Sequence, residues 1–140
     1  MSVSIDDLQQ AVGSLFPNPE SLTNEALRRA CINRQYYVTY HRLLNIIQEN
    51  FTQYDMSNEG TFGNTGSHKR VYYVFDDIFD KTKSKNAQRL SLKFTSFLSM
   101  RHKADYHLDI NINQFEFSQA LKFAKDIPEL ADKIVQEQKS

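Results

Sequence analysis

Thr23 to Tyr54 reads TNEALRRACINRQYYVTYHRLLNIIQENFTQY and holds neither Pro nor Gly over its whole length. Leu27, Cys31, Tyr37, Tyr40, Leu44, Ile47 and Phe51 trace an apolar stripe that drifts slowly round a helix, so the run predicts one long central helix. Neither a signal-bounded strand nor a strict alternation of apolar and polar residues occurs inside it. A helix of that length needs other helices to cover its stripe, and the flanks supply them.

On the amino-terminal side, Ser4 reads as an N-cap with Asp6 and Asp7 in the first turn, followed by Ile5, Leu8, Val12, Leu15 and Phe16 at helical spacing. Pro17-Asn18-Pro19 stops that short helix, because neither proline can continue the hydrogen-bond ladder. On the other side, residues 55–67 contain three of the four glycines and no periodicity, which predicts a mobile loop. No strand precedes this loop and no Gly-Lys-Ser/Thr closes it, so a phosphate-cradling P-loop is not expected.

Ser67 is expected to cap a third helix with Val71, Val74, Phe75, Ile78 and Phe79 facing the core. After the polar turn of residues 81–86, a fourth helix runs from about Ala87 through Leu90, Phe94, Phe97, Leu98 and Arg101. A connector at Asp109 to Asn111 leads to a fifth, where Pro128 is expected to kink the run or start a separate last helix. The chain is therefore expected to be a single domain over residues 1–140, all-α, an antiparallel four- to five-helix up-and-down bundle.

Seventeen basic and seventeen acidic residues cancel, which excludes a simple polycation. The balance is uneven along the chain: residues 68–103 carry nine Lys or Arg against three Asp, while residues 1–67 and 104–140 each carry four basic against seven acidic. A basic middle attracts nucleic acid by counterion release. Cys31 is the only cysteine, so no internal disulfide forms, which suits a reducing cytoplasm. It is expected to be a small core residue and not a nucleophile. No apolar run is long enough to span a membrane, and no signal peptide is seen at the amino terminus.

The densest collection of chemically able groups is Met100-Arg101-His102-Lys103-Ala104-Asp105-Tyr106-His107-Leu108-Asp109. Arg101 adjoins the apolar stripe of its helix near the helix end, where a guanidinium must be paired, bound to a ligand or directed at another subunit. A permanently charged Arg holds phosphate, and a His moves a proton near neutral pH. Arg101 and His107 are six residues apart, about 240° round a continuous helix, and so share no face of one. Either the helix ends before His107, or a second copy of the chain completes the site. On the central helix Arg34, Tyr37 and His41 follow at i, i+3 and i+7 and are expected to face a shared polar cleft. His102 and Tyr106 sit at i, i+4, but no His or Cys pair has zinc spacing, and neither a metal nor a cofactor is expected.

Three separated motifs carry a family resemblance. Arg29-Ala30-Cys31-Ile32-Asn33-Arg34-Gln35-Tyr36-Tyr37-Val38-Thr39-Tyr40-His41 resembles the second-helix signature of the HEPN family (higher eukaryotes and prokaryotes nucleotide-binding). Ser67-His68-Lys69-Arg70-Val71, with Phe75 and Phe79, is similar to that family's third helix, and Arg101 with Lys103-Ala104-Asp105-Tyr106 to the end of its fourth. The likeness spans roughly residues 25 to 125.

What it implies is a helical bundle that forms a homodimer, of the kind found in toxin and defence systems. Catalytic members are metal-independent endoribonucleases with an Arg, four to six residues, then a His, a pattern that Arg101, His102 and His107 match. The Ala-Asp-Tyr subgroup commonly carries Asp where this chain has His107. Two readings follow. In one, the chain is an endoribonuclease: His107 is general base or acid, Arg101 neutralises the phosphate, and His102 or Tyr106 positions RNA. In the other it is a non-catalytic module, binding nucleotide, RNA or a minimal nucleotidyltransferase through Arg34, Tyr37, His41, Arg101 and Tyr106, with Asp105 paired to Arg101.

Overall fold

The computed structural model describes residues 3–139, and five α-helices account for its architecture with no strand among the described residues. They are α1 (Ile5–Leu15), α2 (Glu25–Asn50), α3 (Ser67–Thr82), α4 (Lys85–Tyr106) and α5 (Gln114–Lys139), with a 3-10 turn at Pro19–Ser21. Side chains at the helix starts explain several boundaries. Ser4 and Asp7 form a reciprocal capping box at α1, Asn24 accepts from the Leu27 amide at α2, and Ser84 accepts from the Ala87 amide at α4.

Two boundaries depart from the sequence reading, and a third is settled between two alternatives. The central helix stops at Asn50, because Phe51 turns into the core and the Tyr54 hydroxyl donates to Asp77 at 2.6 Å. Burying these two rings outweighs extending the helix by one turn. The residue capping α3 is Gly66 and not Ser67: its φ of 96° and ψ of 136° lie in a region that a side chain rarely tolerates. Pro128 neither ends α5 nor divides it, since Ile127, Leu130, Ala131 and Ile134 hold both sides of the proline on the core.

The core is one cluster drawn from α2 to α5 and the connectors, with Tyr36, Phe75, Phe94, Phe97 and Phe117 fully enclosed. Cys31 is fully buried, and desolvation pushes its thiol up to about 11, so it carries no thiolate at neutral pH.

Helix directions follow from which ends meet. Arg29 near the start of α2 reaches Lys103, Ala104 and His107 at the end of α4, and Ser84 before α4 meets Glu137 near the end of α5. These neighbours run antiparallel, as do α3 and α4, where Ser91 bonds Asp76. By contrast Tyr40 packs on His68 while Phe51 packs on Phe75, so α2 and α3 run the same way. The connector of residues 51–66 carries the chain back alongside the second half of α2 before α3 begins. It follows a defined path: Asp55 accepts the Thr61 amide, and buried Arg70 donates to Asn58 and the Gly63 carbonyl. A Cβ at Gly60 would lie 2.3 Å from the Asp55 carbonyl, which is why a glycine closes that turn. The crossover delivers the first turn of α3 to the middle of α2 and the end of α4, where the polar side chains gather.

Candidate functional site

Arg101 continues the buried stripe of α4, Leu90, Phe94 and Phe97, into its last turns, and the register carries its guanidinium into the bundle. The residue is 8% exposed. Its Nε lies 2.9 Å from Asp105 Oδ2, an ion pair in which the N–H points off the oxygen, and its Nη2 donates to the Tyr37 hydroxyl at 3.0 Å. The guanidinium carbon stands 5.3 to 5.8 Å from the ring centres of Tyr37, Tyr36 and Tyr106. Asn33 secures the other partner, donating to Asp105 at 2.9 Å. The i, i+4 pairing of Arg101 with Asp105 is as the sequence suggested.

Around this pair stands a set of rings. His41 stacks on Tyr37 and meets the edge of Tyr40, and His102 packs against Tyr106. The closest ring contact belongs to His68, which the sequence offers only within a motif and not as a site residue. Its Nδ1 is 2.7 Å from the Tyr36 hydroxyl, and its ring stacks on Tyr40 at 4.3 Å between centres. The sequence did hold a signal for it: His68, Val71 and Phe75 lie at i, i+3 and i+7, so the apolar stripe of α3 runs back to this histidine.

The remaining sequence-expected residues lie as follows. Arg34 and Tyr37 line a groove of about 260 Å³ between α1 and α2 whose other wall is apolar, including Leu8 and Val12. His41 lines a separate groove farther along α2, with Leu44. The apolar face of α1, with Leu8 lining both grooves, lies over this side of α2, and Tyr37 joins the two through its stack on His41. His107 is the exposed C-cap of α4, so the helix does end before it. No hydrogen bond, ion pair or ring contact joins the His107 ring to Arg101 among the described residues.

The segment carrying His107 is held by Arg29, the first residue of the second-helix motif. Arg29 Nη1 donates to the carbonyls of Lys103 and Ala104 at 3.0 Å and of His107 at 3.2 Å, and its Nη2 to Ile110 and to Glu25. These carbonyls include the orphan acceptors at the end of α4. Glu25 in turn accepts the Ile112 amide at 2.7 Å, and that bond is the main reason its carboxyl is held below the ordinary value.

Burial and then the charges of Arg101, His102 and His41 lower the His68 pKa from its ordinary 6.5, whereas burial raises that of the Tyr36 phenol. The folded state therefore takes a proton at His68 less readily than the unfolded chain, which binds more protons as pH falls below about 6.5. Stability is expected to rise with pH through the window below 6.5 and to level off above it. Urea unfolding of the wild type and His68→Gln between pH 4 and 8 tests this, with a shallower dependence expected for the variant. Parallel curves would remove His68 as the source.

Compared with protein-family models, curated proteins and solved structures, the chain gives no significant match. Among the described residues no helix is long and apolar enough to cross a membrane, and no group of three or more His, Cys, Asp or Glu side chains is arranged to hold a metal ion.

Proposed function

We propose that the chain is a HEPN-like module that binds single-stranded RNA or a nucleotide at the meeting of α2, α3 and α4. One observation carries the reading: a guanidinium buried in the core edge, ringed by Tyr36, Tyr37 and Tyr106 and bordered by His41, His68 and His102. The exposed rings of Tyr37 and Tyr106 beside a fixed cation suit an unpaired base next to a phosphate, and a duplex offers no free base faces to stack. Asp105 takes one edge of Arg101, so the site is built to hold one phosphate and not a run of them. The positive surplus of residues 68–103 favours the approach of the strand.

The test is fluorescence anisotropy with a labelled single-stranded RNA octamer, its duplex and its DNA counterpart, at fixed salt. Binding of the single strand at least tenfold tighter than the duplex is expected, in line with roughly 1–3 kcal/mol for each stacked base. Equal affinity for both would sink the reading.

A second reading, the metal-independent endoribonuclease, rests on its own observation. His107 is exposed beside Tyr106, Leu108 and Ile110, and Phe115 is exposed just beyond, an apolar surface that a second copy would cover. Such a homodimer would bring His107 of one protomer to Arg101 of the other. Cleavage of a mixed RNA pool in EDTA, lost in both Arg101→Ala and His107→Ala, is the outcome that selects it. Binding without cleavage selects the non-catalytic module, alone or as the partner of a nucleotidyltransferase.

A further inference from the structure

Among the described residues, the sealed side-chain nitrogens and oxygens lacking a hydrogen bond are Nε of Arg70 and Nε of Arg101. No hydrogen bond or ion pair among the described residues engages Arg101 Nη1 or His68 Nε2, neither atom is among the sealed ones, and the His68 side chain is half-buried. They belong to one neighbourhood. The guanidinium carbon is 5.6 Å from the centre of the Tyr36 ring and 5.3 Å from that of Tyr37; the His68 ring centre is 5.6 and 6.4 Å from the same two.

Which nitrogen of His68 carries hydrogen follows from the phenol. Tyr36 is fully buried and its hydroxyl has no other acceptor, so the O–H donates to Nδ1 and the neutral ring keeps its hydrogen on Nε2. A buried tyrosine thus sets the tautomer of a half-buried histidine and leaves its outer edge a donor.

We infer that Arg101 Nη1 and His68 Nε2–H form a two-donor seat for one phosphate group, with Tyr36 as the positioning residue that keeps His68 a donor. The seat rests on the reading of this site as a nucleotide or RNA site, and deepens it by naming what holds the phosphate. His68 supplies a neutral donor from α3 and Arg101 a charged one from α4. Asp105 closes the Nε edge of the guanidinium, which leaves Nη1 as its open side. The crossover of residues 51–66 therefore has a consequence for binding: it brings the second donor to the first.

Long-range ¹H–¹⁵N spectra of the histidine rings, recorded near pH 7.5 while inorganic phosphate and separately a uridine tetranucleotide are added, test the seat. The free protein is expected to show His68 in the Nε2–H form, and both additions to shift that nitrogen. His68→Ala is expected to weaken tetranucleotide binding by about tenfold, the loss of one charge-assisted bond. His68→Gln, whose amide nitrogen falls near the Nε2 position, recovers part of it. Tyr36→Phe keeps the packed ring but releases the tautomer, and is expected to weaken binding with no loss of helix content. Tetranucleotide binding that leaves the His68 resonance unmoved overturns the seat while the RNA reading survives. Phosphate binding at His68 without tetranucleotide binding keeps the seat and overturns the RNA reading, and silence of both ligands overturns the two together. The wild-type spectra decide this even where a variant fails to fold.

Discussion

Arg29→Ala is expected to lower the unfolding free energy by about 3 kcal/mol, because it strips hydrogen bonds to a charged donor from several carbonyls at once and leaves them under-satisfied. The side chain is 11% exposed, so water replaces the guanidinium poorly. It joins the start of α2 to the carbonyls of Lys103, Ala104, His107 and Ile110, residues that no local signal ties to α2. Urea unfolding gives the magnitude, and hydrogen exchange gives the place: amides of residues 107–112 should lose protection well before those of Phe94 and Phe97. Arg29→Lys, which keeps the charge but reaches fewer carbonyls, should fall between. A loss below about 1 kcal/mol would mean that the connector is held by its own turns, and the clasp would carry no weight.

Arg101→Ala is expected to act on stability and binding together, and a second substitution separates the two. Removing the guanidinium leaves the Asp105 carboxylate, 20% exposed, without its cation, at a cost of about 3 kcal/mol. It also removes the charged donor of the proposed phosphate seat, so single-stranded RNA affinity should fall about a hundredfold. In Arg101→Ala/Asp105→Ala the stranded charge is gone, and much of the lost stability should return while binding stays lost. Recovery of binding in the double variant would show that Arg101 acts only by keeping Asp105 paired. Arg101→Lys keeps a charge but neither the planar fork nor the packing among tyrosine rings, and should bind RNA weakly.

The all-helical class was legible from periodicity. Val71, Val74, Phe75 and Ile78 on α3 and Leu90, Phe94 and Phe97 on α4 are all buried where their spacing predicted. So was the pairing of Arg101 with Asp105, since i, i+4 neighbours meet on any helix. The end of α2 was less legible. Nothing between Glu49 and Tyr54 breaks a helix; what ends it is the gain from turning Phe51 inward and from bonding Tyr54 to Asp77, a residue far along the chain. Pro128 left two outcomes open in the sequence, and the run stays one helix because a proline inside a helix that is packed along its whole length costs less than undocking either half.

The sequence by itself determined which residues turn inward along each helix, because burial of apolar side chains imposes a period that can be counted within one segment. It also determined that Arg101 had to find company, because its place at the end of a buried stripe follows from the same count. Only the tertiary structure decided what that company is. His68 reaches Tyr36 and Tyr40 because the connector returns α3 to run alongside α2, and Arg29 meets the end of α4 because the two helices run antiparallel. Contacts of this kind join residues 32 and 74 positions apart. Their partners are chosen by the direction and docking of whole helices, which depend on the summed burial of the core and on no single stretch of the chain.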